Sequence, residues 1–149
     1  AIVAVASEST PLEDPLSGKK GRHCGFFKLK VLGDVTRESV EGFVKKSIDP
    51  KSVLFTDKNP AYVNLEKMVE NHIKVKSSYE SANGDLNWVH TAISNLKRNL
   101  LGIYHMVSEK HLQSYLNEFA YKLNRRYFGD KLFDRLFIAS VYPYVQHSE

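Results

Sequence analysis

The sequence predicts an α/β domain, on three observations. Short runs rich in Val and Ile alternate with helix-periodic stretches over residues 1–76. From residue 86 onward the chain reads as almost wholly helical, with apolar residues at three- and four-residue spacing. Strands joined by crossover helices require at least two of those strands to run parallel.

Each element has a local reason. Residues 2–6 (IVAVA) are apolar and β-branched, the pattern of a buried strand. Residues 9–23 hold two prolines and two glycines among basic and polar residues, which predicts a long mobile loop. CGFFKLKVLGD alternates, with Phe27, Leu29 and Val31 on one side and Lys28, Lys30 and Leu32 on the other, a half-exposed strand. DVTRESVEGFVKKS predicts a helix capped by Thr36, with Val40, Phe43 and Val44 inward. SVLFTD, residues 52–57, predicts a third strand ending on Asp57. KNPAYVNLEKMVENH then starts a helix near Pro60, with Leu65, Met68 and Val69 facing the core, and residues 72–76 (HIKVK) form a fourth strand. A polar loop precedes the helical part, residues 86–141. Its clearest helix, within 108–127, carries Leu112, Tyr115, Leu116, Phe119, Leu123 and Tyr127 as one stripe, and residues 130–141 give the last helix.

Composition bounds the function. The 149 residues suit one domain, residues 1–149, with 42% hydrophobic and 26% charged side chains. No run approaches the ~20 apolar residues of a bilayer span, so no membrane partner is expected. A single cysteine, Cys24, excludes a disulfide framework and a zinc cluster and suits an intracellular compartment. The net charge of +4 is uneven: residues 90–149 carry 8 basic and 5 acidic side chains. That balance suits either a polyanionic partner or an ordinary solvated surface. No Gly-rich phosphate loop and no Gly-x-Ser-x-Gly elbow is present.

The candidate site residues each admit two readings. Asp57 ends an apolar strand, where open α/β sheets gather ligand sites, yet TDKNPAY is also good turn chemistry. His90 opens a helix and Lys97 follows seven residues on, close to two turns, so both project from nearly the same face. His90 can be a surface or capping residue. Lys97 and Arg98 can snorkel over apolar neighbours or contact phosphate. Arg125 and Arg126 can complement a helix C-terminus.

Taken together, VAVASES, KLKVLGDVT, LFTDKNPAYVNL, the long run WVHTAISNLKRNLLGIYHMVSEKHLQSYLNEFAYKLNRRYFGD, and LFDRL resemble the catalytic core of a bacterial insertion-sequence transposase of the ISXO-type DDE family. The resemblance covers residues 2–140 and implies a ribonuclease H-like mixed sheet flanked by helices. It implies cytoplasmic DNA strand cleavage and strand transfer, two Mg²⁺ or Mn²⁺ ions, DNA as partner, and a homodimer or higher assembly. Asp57 matches the second catalytic aspartate, His90 the third metal position, and Lys97 the basic residue that completes the pattern. Relatives more often have Glu or Asn where His90 stands, and imidazole favours Mn²⁺ over Mg²⁺. Asn95, about 200° around the helix from Lys97, fits that third position less well. Lys97, Arg98, Arg125, Arg126 and the basic residues Lys19, Lys20 and Arg22 are the expected DNA contacts.

The resemblance also implies an incomplete set. The family's first catalytic aspartate lies on a central strand before VAVASES, and Glu8 does not match it. The chain is thus expected to be a piece of a transposase, with a gap in its sheet and weak or no activity alone. The alternative is a non-catalytic relic or repurposed core that binds DNA without metal.

Overall fold

A twelve-residue strand, β1 (Ile2–Glu13), opens the chain and pairs antiparallel with β2 (Lys20–Leu32) from Ile2↔Leu32 to Glu13↔Lys20. The computed structural model describes residues 1–13, 20–76, 78, 84, 86–103 and 107–141. The loop expected over residues 9–23 is therefore corrected. Residues 9–13 and 20–23 are paired strand, and 14–19, including Lys19, lie outside the described residues. The cause is cross-strand bonding invisible in composition. Arg22 donates from Nε to Ser9 Oγ and from its terminal nitrogen to Ser9 O, both at 2.7 Å, and Thr10 Oγ1 lies 3.2 Å from the His23 ring. Pro11 is tolerated because β1 is an edge strand.

Helix α1 (Arg37–Ser47) starts where Thr36 accepts from Ser39 N. The Asp34 carboxylate gathers the Thr36 and Ser39 hydroxyls at 2.7 and 2.5 Å, and those bonds, Ser39's first, hold its pKa below the ordinary value. Strand β3 (Val53–Thr56) leads through a 3-10 helix (Pro60–Lys67) to β4 (Asn71–Lys74), which pairs parallel with it. The helix expected after Asn59 is thus a tighter 3-10 coil, started by Asn59 accepting from Ala61 N. Val40 and Val44 of α1 close a core over Ala61, Leu65 and Val69.

Three α-helices follow among the described residues: α2 (Asn87–Ile103), α3 (Glu109–Asn124) and α4 (Lys131–Val141). The inner face of the hairpin packs on α2 and α3. There Cys24, Phe27 and Ala92 form one cluster, and Leu29, Leu96 and Leu116 another. Two side-chain amides of α3 fasten the β2 backbone. Asn124 accepts from Phe27 N at 2.6 Å and donates to Phe27 O at 2.9 Å, while Gln113 accepts from Val31 N at 2.8 Å and donates to Leu29 O at 3.2 Å. These are backbone groups that pairing with β1 leaves over, so α3 covers an edge that would otherwise stay open.

The architecture is mixed α/β. Among the described residues the strands form two two-stranded sheets, β1–β2 and β3–β4, in place of one continuous mixed sheet. No helix among the described residues is long and apolar enough to cross a membrane.

Candidate nucleic-acid and metal site

Asp57 follows β3 directly. Its Oδ1 accepts from Asn59 N at 3.1 Å, an Asx turn that aims the chain into the 3-10 helix. Among the described residues its other carboxylate oxygen accepts no hydrogen bond. The strand end is held from the side: Thr56 Oγ1 donates to Asp57 O at 2.8 Å and lies 2.8 Å from His72 Nε2. The buried His72 Nδ1 has no hydrogen-bond partner among the described residues. Burial first, and then Lys74, keep the His72 pKa below its ordinary value. Nearby, the Tyr62 hydroxyl is pushed up by burial and by the Asp57 charge.

Helix α2 sorts its residues by face. Ala92 and Leu96 are buried against the hairpin, whereas His90, Ser94, Lys97 and Leu101 are all exposed. At 100° per residue these four lie within about 60° of one another. The structure thus brings His90 and Lys97 to one solvent face, with Arg98 exposed beside them. Among the described residues none of the three forms an ion pair.

Asp57 follows the β3–β4 pair, whose Leu54 packs against the α1 core, while α2 packs on β1. Among the described residues no three or more His, Cys, Asp and Glu side chains gather as metal donors. One available Asp57 oxygen and one imidazole do not amount to a divalent-cation site, which for hard cations takes six or more donors, mostly oxygen.

The expected phosphate contacts differ in how free they are. Arg126 donates to Leu123 O and to Cys24 O at 2.6 Å each and to the Tyr127 hydroxyl at 2.9 Å, so its guanidinium ties the end of α3 to β2. Arg125 stacks over the Tyr121 ring at 3.7 Å, a cation–π contact. Arg22 is engaged by Ser9. Lys20 lies in β2, and Lys19 lies outside the described residues. Sequence reasoning passed over Phe26, Lys28 and Lys30, all exposed on β2, although the alternation of CGFFKLKVL had already separated the two lysines from the core side.

Residues 2–124 match the family model of the ISXO2-like transposase domain, and the chain belongs to that family. The match runs from β1 to the end of α3 and includes Asp57, His90, Lys97 and Arg98. No curated protein and no solved structure matches the chain.

Proposed function

We propose that this chain is the catalytic core of a DNA transposase, which cuts and joins strands at insertion-sequence ends by divalent-metal-dependent phosphoryl transfer. The observation that carries the reading is the transposase-domain match through α3, together with His90 and Lys97 on one open face of α2. Asp57, with an oxygen left over from its turn, is the carboxylate of the set. Lys97 and Arg98 are point and fork charges for DNA phosphates, and Arg125 is a third.

The finer fold reading is a ribonuclease H-like sheet in which one strand belongs between β1 and β3. An antiparallel hairpin and a separate parallel pair, each offering an edge, support it. That strand supplies the first aspartate, and with it the Mg²⁺ or Mn²⁺ donors that the described residues do not complete. The same logic predicts assembly as a homodimer or larger, since an element has two ends.

Nicking of a supercoiled plasmid in Mn²⁺ tests the reading. Residues 1–149 alone cleave weakly or not at all. The whole protein that the gene encodes cleaves, and Asp57→Ala abolishes that cleavage. Robust cleavage by residues 1–149 contradicts the incomplete set, and cleavage that survives Asp57→Ala contradicts the assignment of Asp57.

A further inference from the structure

On β2 the inner residues Phe27 and Leu29 are buried, and the alternate positions Phe26, Lys28 and Lys30 face outward and are exposed. Phe26 is 67% exposed and lies at the irregularity where the ladder steps from Ser7↔Phe27 to Ser9↔Cys24. Opposite the lysines β1 sets only small residues, Ala6 against Lys28 and Ala4 against Lys30, so nothing large shades the two ammonium groups. Among the described residues neither lysine forms an ion pair. The carboxylate at the end of this strip, Glu8, is turned onto the backbone. Its Oε2 accepts from Phe26 N at 3.0 Å, over Gly25, where any side chain would collide with it.

We propose that this outer face of the hairpin seats a single strand of nucleic acid, with a base stacked on Phe26 and successive phosphates at Lys28 and Lys30. Alternate residues of a strand stand about 6.8 Å apart. That is close to the step between successive phosphates of an extended strand. Sequence-tolerant single-strand sites combine an aromatic platform with a cationic track in this way. A base inside a duplex is stacked on both faces, so only an unpaired base can offer its face to Phe26. The proposal rests on the reading of the chain as a DNA-processing protein, where a frayed or cut element end is such a strand. It concerns a surface separate from the His90–Lys97 face of α2.

The test is fluorescence anisotropy of the whole chain with a labelled oligothymidylate and with a duplex of equal length. The variants are Phe26→Ala, Phe26→Trp, Lys28→Thr/Lys30→Thr and Lys97→Ala/Arg98→Ala, each checked for folding by circular dichroism. Phe26→Ala should weaken oligothymidylate binding about 5- to 150-fold, while Phe26→Trp retains it. Lys28→Thr/Lys30→Thr should flatten the salt slope of that binding by about 1.4. Lys97→Ala/Arg98→Ala should weaken the duplex more than the single strand. If the hairpin variants bind the oligonucleotide like the parent while Lys97→Ala/Arg98→Ala loses DNA, the hairpin proposal falls and the transposase reading stands. If the hairpin variants alter only self-association, the face is a protein contact and the proposal falls likewise. If the parent binds neither DNA, both readings fall.

Discussion

Asn124→Ala removes a single side-chain amide that satisfies two backbone groups 97 residues away, the N–H and the C=O of Phe27. Alanine leaves both without a protein partner. A buried unpaired backbone group costs roughly 1–3 kcal/mol. This site is only partly buried, so water recovers some of that loss, and about 2 kcal/mol in total is the reasoned value. For a chain of this length that shifts the Tm by about 4–8 °C. The loss should propagate locally, because Phe27 belongs to the cluster with Cys24 and Ala92 that seats α2 on the hairpin. Urea titration followed by far-UV circular dichroism measures it, with hydrogen exchange at the Phe27 amide as the local readout. Asn124→Asp is the sharper variant: it keeps an acceptor for Phe27 N but sets a carboxylate against Phe27 O, so it does not restore stability. A change below about 0.5 kcal/mol, within ordinary surface-mutation scatter, would refute the clamp.

Other consequences follow from the same geometry. Leu116→Ala, at a fully buried position between α3 and the hairpin, should cost about 2–5 kcal/mol in chemical denaturation. The depressed His72 pKa means that the unfolded chain binds a proton more readily than the folded one. Its contribution is therefore complete above pH 6.5, the ordinary histidine value, and declines as pH falls through the lower folded pKa. Replacing it as His72→Asn should remove that part of the pH dependence in melts between pH 5 and pH 8. Lys97→Ala and Arg98→Ala should each reduce the salt slope of duplex binding by about 0.9 without changing thermal stability, whereas Arg126→Ala should lower the melting temperature because Cys24 O and Leu123 O lose their donor.

What the sequence reveals depends on how local its cause is. Helix α1 was legible because Thr36 and the spacing of Val40 and Val44 sit within one stretch, and the structure places its cap at Thr36. The common face of His90 and Lys97 followed from helical period alone. That at least two strands run parallel followed from the crossover connections, and the structure shows the pair to be β3 and β4. The extended hairpin did not: Pro11 and Gly21 read as loop, and the Arg22–Ser9 bonds that continue the ladder exist only once the strands meet. The bond from Arg126 to Cys24 O was not legible because the acceptor lies 102 residues away. The 3-10 form of Pro60–Lys67 was hidden for another reason, since its apolar residues have spacings that suit either coil.

Mn²⁺-dependent nicking of a supercoiled plasmid bearing the element ends, by the whole protein that the gene encodes, decides most directly whether this is a DDE-type transposase. Cleavage that Asp57→Ala abolishes and Lys97→Ala weakens is the expected result. Cleavage indifferent to Asp57→Ala would contradict it.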